Sequence, residues 1–181
     1  MAEVSISVAK ETEVEELSLL VNSAYRGESS KAGWTTEADL LDGQRTDPES
    51  LRQVIQSPGQ AILCLRSTDD GPIDGCVQLA RFTEGNTLAV HLGMLTVRPS
   101  LQAGGLGATL VEKAEEFARS LGAARLELEV IQLRHTLITW YERRGYRKTG
   151  ETRPFPYGDV KFGVPRREDL HFVVLEKLLA A

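Results

Sequence analysis

Hydrophobic residues near the start of the chain alternate with polar ones and then change to a helical spacing. The alternation over 4–8 predicts a half-buried strand, and the apolar positions repeated through 14–24 predict an amphipathic helix. Thr12 and Glu15 have the spacing of a capping box, which predicts that the helix begins there. A long polar stretch, 25–46, follows. We expect it to join the first two helices.

A short helix and three strands are predicted in the middle of the sequence. Asp47 followed by Pro48 is typical of an N-cap with proline at the first helical position, and a Ser-Pro-Gly sequence ends the helix soon afterwards. Strands are predicted at 61–66, 73–82 and 87–97, with short turns between them. Connections this short favour an antiparallel meander.

The second half of the chain alternates between helical and strand patterns. Apolar residues keep a helical period over 106–121, and Gly122 lies where a C-cap glycine belongs. The other predicted elements are a strand at 126–130, a helix at 135–144 and strands at 146–152 and 171–178. Helices interleaved with strands predict a mixed α/β fold.

The composition adds a class and a compartment to this pattern. A length of 181 residues, with 41% hydrophobic and 26% charged, is typical of one soluble domain over 1–181. No apolar run approaches the roughly 18 residues of a membrane span, and the start lacks a signal-peptide pattern, so we expect a cytoplasmic protein. Cys64 and Cys76 lie in apolar strand-like runs, which favours core residues over a disulfide or a metal site.

The net charge of −5 is unevenly distributed. Between Glu142 and Arg167 there are eight basic and three acidic residues, a local charge of +5. Such a stretch on an acidic protein can attract a phosphate-bearing small molecule, whereas a nucleic-acid binder is more often basic overall. A solvated surface of mixed charge is the alternative interpretation.

The segment 95–108 is the most informative, because it runs from a strand through a glycine-rich turn directly into a helix. Such a turn presents backbone N–H groups at the positive end of a helix dipole, which favours a bound phosphate or pyrophosphate. The segment is not a Walker loop, because no Gly-Lys-Ser/Thr follows, and Leu110 replaces the third glycine of a Rossmann fingerprint. Alternatively, the glycines only make a tight turn.

This segment resembles the pyrophosphate loop of the GNAT superfamily of acetyl-CoA-dependent N-acyltransferases. The family signature is Gln/Arg-x-x-Gly-x-Gly/Ala, which Gln102, Gly105 and Gly107 match. The resemblance implies a GNAT-like α/β fold, with a central mixed, mostly antiparallel sheet of about six to seven strands, about four flanking helices and splayed parallel strands at the cofactor site. It also implies that acetyl-CoA contacts Leu95, Thr96, Val97, Gln102, Ala103, Gly104, Gly105, Leu106, Gly107 and Ala108.

A second match lies in 140–146, Trp-Tyr-Glu-Arg-Arg-Gly-Tyr, which is similar to the family's Leu-Tyr-x-x-x-Gly-Phe. The resemblance implies that Tyr141 protonates the departing CoA sulfur. Family members often carry Asn seven residues earlier, where this chain has Arg134, so a guanidinium replaces that cofactor contact or the contact is lost. The alternative is that Tyr141 is a packing residue whose hydroxyl is bonded to backbone.

The reaction implied by the family needs a base, because an attacking amine must be neutral. Some members use a Glu eleven positions before the loop's Gln/Arg, and His91 occupies that position here. Histidine suits the role, but a satisfied core residue is the alternative. Glu84, Glu127 and Glu129 are reserve candidates for the base. Glu127 and Glu129 lie on the face of their strand opposite to the apolar residues, so simple solvent exposure is the alternative for them. The implied oxyanion donor is the main-chain N–H of Leu95 or its neighbour.

The amine acceptor is expected to contact the stretch that joins the first two helices. Candidate contacts are Arg26, Trp34, Glu37 and Asp39, and the acidic pair would suit a cationic amine. Exposed charges that flank helices are an equal alternative. The loop 155–159 is a candidate for closing the other side of the pocket.

The resemblance therefore implies transfer of an acetyl group from acetyl-CoA to a primary amine by direct attack in a ternary complex. A catalytically silent CoA-binding sensor is the alternative, and a nucleic-acid binder is weaker, because aromatic residues are sparse in the basic stretch. The expected partners are a small-molecule or protein amine and, as an option, a second copy of the chain. Neither nucleic acid nor a membrane is expected as a partner.

Overall fold

The computed structural model describes residues 3–180 as an alternation of strands and helices. The helices are α1 (Val14–Tyr25), α2 (Gly27–Ser30), α3 (Pro48–Gln56), α4 (Leu106–Ser120) and α5 (His135–Glu142). The strands are β1 (Ser5–Val8), β2 (Leu41–Asp42), β3 (Gln60–Arg66), β4 (Gly75–Glu84), β5 (Thr87–Val97), β6 (Arg125–Ile131), β7 (Arg147–Pro154), β8 (Val164–Pro165) and β9 (His171–Leu178). Among these residues no helix is long and apolar enough to cross a membrane.

Seven strands form one sheet in the order β1-β3-β4-β5-β6-β9-β7, and β2 pairs with β8 separately. Every pairing in the large sheet is antiparallel except that of β5 with β6. The predicted mixed, mostly antiparallel sheet with flanking helices is thus confirmed. The predicted meander is β3-β4-β5, whose short connections keep consecutive strands side by side.

Side chains that alternate along the strands supply a hydrophobic core to each face of the sheet. On β3, Leu63 and Leu65 join the core that contains α4 and α5, whereas Ile62 and Cys64 join the core that contains α1 and α3. This is the period of two expected for a strand buried on both faces. Cys64 and Cys76 are buried free thiols, as the sequence predicts.

Two sequence predictions about element boundaries are wrong. The capping pair is not Thr12 and Glu15, because the backbone N–H of Lys10 donates to the Glu13 carboxylate (2.9 Å) and a 3-10 turn over Glu11–Glu13 precedes α1. The strand predicted at 73–82 is Gly75–Glu84. Its start is delayed because the backbone N–H of Ile73 donates to Glu16 (2.6 Å) on α1 instead of to a neighbouring strand.

β5 and β6 pair over three positions, of which His91 with Glu127 is the last in the described chain. Further along β5 the register with β4 shifts, and Met94 has a φ of 54°. A non-glycine residue in the left-handed region costs about 1–2 kcal/mol, so the surrounding packing must stabilise this bulge. The bulge bends β5 and keeps its second half with β4. A gap therefore opens between the ends of β5 and β6.

A buried carboxylate holds α4 against β9. Glu115 accepts hydrogen bonds from Lys177 Nζ (2.8 and 2.9 Å) and from the Tyr146 hydroxyl (3.2 Å). Tyr146 in turn packs edge-on against Tyr141, with 5.5 Å between ring centroids. The ion pair therefore fixes the ring on which Tyr141 rests.

We expect Glu115→Gln to lower the free energy of unfolding by about 1–3 kcal/mol, because the Lys177 ammonium and the buried Tyr146 hydroxyl lose a charged acceptor. Urea unfolding at pH 7 measures this value. Glu112→Gln, on the exposed side of the same helix, is the matched control and should stay within about 0.5 kcal/mol. Equal effects of the two substitutions would contradict the account.

Candidate active site

The backbone between β5 and α4 makes two sharp reversals. A 3-10 turn over Pro99–Leu101 follows the strand, and Ala103 and Gly105 then adopt φ values of 64° and 88°. Within the described chain, nothing lies within 4 Å of where a Gly105 side chain would begin. Glycine is therefore favoured at 105 by its backbone conformation and not by crowding.

The N-terminus of α4 has free hydrogen-bond donors. Gly105 is the N-cap, and no side chain caps the helix in the described residues. The N–H groups at 106–108 therefore lie at the positive end of a 15-residue helix without an intrahelical acceptor. This arrangement fits the pyrophosphate of a nucleotide cofactor.

A cavity of about 260 Å³, here called the loop cavity, lies beside this turn. Its lining includes Tyr25, Trp34, Leu95, Thr96, Val97, Gln102, Ala103, Gly105, Gly107, Ala108, Arg134, Leu137, Trp140, Tyr141 and Arg144. A Cβ at Gly107 would approach the Trp140 ring to 3.4 Å, so the glycine leaves space between helix and indole. The Arg144 guanidinium stacks 3.6 Å from the same indole and adds a positive charge to the wall.

Most of the residues predicted to contact the cofactor line this cavity. The exceptions are Gly104, in the turn, and Leu106, the first residue of α4. Gln102 lines the cavity while its side chain braces the loop, because its amide donates to the Val97 carbonyl (3.1 Å). Its Oε1 is buried without a partner among the described residues, and a Cβ at Gly33 would lie 2.1 Å from that oxygen. The amide is thus held between the strand end and the backbone at Gly33.

A second cavity of about 160 Å³, here called the splay cavity, occupies the gap between β5 and β6. Strand residues from both sides of the gap line it, over 91–95 on β5 and 128–131 on β6. It shares Tyr25, Leu95, Arg134, Leu137 and Tyr141 with the loop cavity. The two cavities therefore meet at the point where the strands separate.

Tyr141 lies at this junction and is 4% exposed. Its ring packs edge-on against Trp140 and Tyr146, whereas its hydroxyl has no hydrogen-bond partner among residues 3–180. The alternative in which backbone satisfies this hydroxyl is therefore not observed. Burial raises the pKa of Tyr141 well above its usual value, so the hydroxyl stays protonated and can donate.

His91 lines the splay cavity on the β5 side. Its Nε2 lies 3.8 Å from Glu129 Oε1, too far for a hydrogen bond, and has no partner in the described part of the chain. The imidazole lies beside Gly93, which lines the same cavity. Burial lowers the pKa of His91 below its ordinary value, against the opposing pull of Glu129 and Glu127, and the ring is neutral at pH 7.

The reserve carboxylates differ in position. Glu127 is 7% exposed and accepts from Arg153 (2.8 Å), so the alternative of a purely solvated side chain is not observed for this residue. Glu129 lines the splay cavity and lies 3.5 Å from a second nitrogen of Arg153. Glu84 is exposed, pairs with Arg125 and lines neither cavity.

Glu37 is the centre of a buried ion-pair network. Its two oxygens accept from Arg26 (2.7 Å) and Arg134 (2.9 Å), and Arg134 also donates to Thr35 (2.8 Å). Burial alone would raise the pKa of Glu37, but the Arg134 and Arg26 guanidiniums outweigh this effect and hold the pKa below its ordinary value. Arg26, Glu37 and Arg134 line the splay cavity. The Glu37 carboxylate, which was expected to bind a cationic amine, is already paired with the two guanidiniums.

Two other predicted acceptor contacts lie elsewhere. Trp34 is 42% exposed and lines the loop cavity, with 6.3 Å between its ring centroid and that of Trp140, but it does not line the splay cavity. Asp39 is exposed and lines neither cavity. The polar stretch turns Glu37 inward and Asp39 outward, which the sequence alone did not reveal. The predicted loop 155–159 does contribute Phe155 to the splay cavity.

Two polar side chains that line the splay cavity, Tyr25 and Arg45, carry no sequence signal of that position. The Tyr25 hydroxyl donates to the Leu95 carbonyl (2.7 Å) and so ties α1 to the strand end. The Arg45 guanidinium lies 5.3 Å from the centre of the Tyr25 ring, with no hydrogen-bond or carboxylate partner in the described chain. Neither residue belongs to a motif, and Arg45 lies in the polar stretch where no periodicity marks it.

We expect Glu37→Gln to destabilise the protein by about 3 kcal/mol at pH 7, because two buried guanidiniums lose their counter-charge. The folded pKa of Glu37 is lowered, so its stabilisation is complete above the unfolded value of about 4.3 and is lost as pH falls below it. Urea unfolding should therefore show a difference between the two proteins that narrows below about pH 4. The exposed Asp39→Asn is the control, and a difference that widens in acid would contradict the network.

Comparisons with known proteins agree with this geometry. Residues 34–146 match the model of the "Acetyltransferase (GNAT) family". The chain is 33% identical over 107 residues to an "IAA acetyltransferase" of Azospirillum brasilense, a match that covers 59% of this chain and 65% of that protein's length.

Solved structures share the fold at low sequence identity. The ribosomal-protein-S18-alanine N-acetyltransferase of Escherichia coli has a TM-score of 0.67 at 16% identity, covering 99% of this chain and 96% of that one. The yncA protein of Salmonella typhimurium, solved with its cofactor acetyl-CoA, has a TM-score of 0.69 at 18% identity, covering 99% and 95%. Because this family match spans more than half of the chain's residues, the chain belongs to the GNAT acetyltransferase family.

Proposed function

We propose that this protein is an N-acetyltransferase that moves the acetyl group of acetyl-CoA to a primary amine by direct attack in a ternary complex. The observation that carries the proposal is the meeting of the loop cavity and the splay cavity at Tyr141 and Leu95. Two substrates that enter from the two cavities would come together at that junction. The name of the Azospirillum brasilense relative, "IAA acetyltransferase", supports acetyl transfer.

The free amides at 106–108 and the Arg144 guanidinium fit the phosphates of acetyl-CoA. The backbone at 95–97 lines the path from the loop to the junction. Arg134 is engaged by Glu37 and Thr35, so we assign it to the wall of both cavities and not to a direct contact with the phosphates. Acetyl-CoA supplies an activated thioester when it is bound.

Tyr141 is proposed as the acid, because its hydroxyl is protonated, lacks an internal partner in the described residues and lies at the junction. His91 is proposed as the base. Its neutral ring can hold the proton on Nε2, which faces Glu129, and keep the lone pair of Nδ1 for the proton of the amine. Each side chain thus serves one of the two proton transfers.

The N–H of Leu95 is proposed as the donor to the thioester oxygen, which gains negative charge during attack. In the described pairing, neither Met94 nor Leu95 has a partner on β4 or β6. The bulge interrupts the pairing of β5 with β4, and the gap ends the pairing of β5 with β6. The Tyr25 hydroxyl fixes the Leu95 carbonyl. A donor held rigidly in this way needs little reorganisation when charge develops.

A silent CoA-binding sensor remains the second candidate, and turnover separates it from the enzyme. A single domain over 1–181 and a cytoplasmic location remain predictions, as does a homodimer. The basic stretch 142–167 is used in part structurally, which disfavours a nucleic-acid interface. Four of its eight basic side chains bond to described groups, namely Arg144, Arg153, Arg166 and Arg167.

Calorimetry with acetyl-CoA and an assay of CoA thiol release with a panel of amines test the proposal together. Binding with amine-dependent turnover is expected, binding without turnover by any amine would favour the sensor, and no binding at millimolar acetyl-CoA would reject both.

We expect Tyr141→Phe to lower kcat by about 100-fold, the low end for a positioned acid, because a thiolate with a pKa near 8.5 can leave partly unprotonated. The affinity for acetyl-CoA, measured by calorimetry, should stay nearly constant. Tyr157→Phe removes a hydroxyl outside both cavities and serves as the control. An unchanged kcat in a folded Tyr141→Phe protein would show that the hydroxyl is not the acid.

We expect His91→Gln to lower kcat/KM by about 100-fold near pH 7 and to move the acidic limb of its pH profile upward. In the native protein the limb due to His91 should lie below pH 6.5, since burial lowers the histidine pKa and the neutral form is the active one. Without the imidazole, the acidic limb follows the deprotonation of the substrate amine, whose pKa is higher than that of His91. His171→Gln, outside both cavities, is the control. A profile that does not move would assign the base to water or Glu129.

A further inference from the structure

The splay cavity carries an excess of positive charge. Its lining includes three guanidiniums, Arg26, Arg45 and Arg134, against the two carboxylates of Glu37 and Glu129. The His91 ring adds no charge at pH 7, because its pKa is lowered by burial. A cavity charged in this way disfavours an acceptor that is only cationic.

The positive charge that is left over belongs to Arg45. Glu37 uses one oxygen for Arg26 and the other for Arg134, and Glu129 lies between His91 (3.8 Å) and Arg153 (3.5 Å). Arg45 has no carboxylate within 4 Å and no hydrogen-bond partner for its guanidinium among residues 3–180. The Arg45 side chain is half-buried and has lost part of its hydration. An anion of matching geometry would supply hydrogen bonds in place of those lost to water.

The segment that carries Arg45 is firmly anchored. Asn22 Oδ1 accepts from the backbone N–H groups of Arg45 (2.7 Å) and Thr46 (3.1 Å), and Asn22 Nδ2 donates to the Thr46 carbonyl (2.9 Å). The guanidinium rests near the Tyr25 ring, whose hydroxyl is bonded to Leu95. A single side chain of α1 therefore holds the unpaired cation next to the proposed acetyl-transfer site.

Resting on the proposed function, we infer that the acceptor is a free amino acid with an apolar or aromatic side chain, whose carboxylate pairs with Arg45. The fork of a guanidinium matches the two oxygens of a carboxylate. The amine of the same molecule then faces the side of the cavity that carries the proposed base, His91, and the carboxylate of Glu129. Phe155, Phe162 and Phe172 supply apolar surface for the side chain.

This pairing disfavours two other acceptor classes, polyamines and the amino termini of proteins. A polyamine carries a second cation where the cavity already has an unpaired one, and like charges at close range repel. The N-terminal residue of a protein has an amide in place of the α-carboxylate. Of these three classes, the free amino acid is the one that presents both the amine and an adjacent anion.

The test is calorimetry of the CoA-loaded protein with matched ligand pairs. Leucine, methionine, phenylalanine and tryptophan are each compared with their α-amides, and spermidine is the cationic probe. We expect at least one amino acid to bind about 10- to 100-fold more tightly than its amide, and spermidine not to compete. Amides that bind as well as the acids, or a cavity that binds none of the acids, would overturn the inference.

Arg45→Gln gives the second measurement. The preference for acid over amide should fall to near unity, while Arg45→Lys restores part of it and the exposed Arg147→Gln leaves it intact. A preference that persists in folded Arg45→Gln protein would contradict the assignment. If Arg45→Gln does not fold, the comparison of acids with amides in the native protein still decides.

Binding and turnover separate the two claims. A carboxylate preference in binding without any release of CoA thiol from acetyl-CoA would reject the proposed transferase while supporting the ligand class. Turnover of spermidine or an amino-acid amide at a rate equal to that of the acid would support the transferase and reject the ligand class. Amidation also lowers the pKa of the amine, so slower reaction of an amide cannot arise from protonation of its nucleophile.

Discussion

The separation of β5 from β6 is the constraint on which the rest of the site depends. Three register pairs hold the two parallel strands together, and a bulge at Met94 then keeps β5 with β4 while β6 continues with β9. Parallel strands normally satisfy each other's backbone groups, so their separation leaves donors and acceptors that something else must meet. Here the Tyr25 hydroxyl donates to the Leu95 carbonyl, and the N–H of the same residue is the donor that we propose for the substrate.

A buried ion-pair network stabilises the opening. Glu37 joins Arg26, at the start of the polar stretch, to Arg134, the N-cap of α5. α5 also carries Tyr141, the proposed acid. The ion pairs of Glu37 therefore connect the helix that holds Tyr141 to the polar stretch on the other side of the splay cavity. Breaking a buried pair is costly, which keeps this wall in a fixed shape. The cost of that rigidity is that Glu37 is no longer available to bind an amine.

The local patterns of the sequence predicted most of the fold, because strands and helices are encoded by residues close in the chain. The strand predicted at 87–97 and the glycine turn at 105 both correspond to elements in the structure. The failures concern long-range contacts. Glu37 and Arg134 are 97 residues apart, and no spacing within either segment indicates that they meet. Arg45 differs from other surface arginines only in what surrounds it after folding.

The most direct test of the account is a crystal structure with acetyl-CoA bound. We predict that the pyrophosphate lies on the amides at 106–108, the thioester oxygen lies within about 3.2 Å of the Leu95 N–H, and the sulfur is near the Tyr141 hydroxyl. A thioester that lies outside the gap between β5 and β6, or a carbonyl that faces away from Leu95, would contradict the central claim.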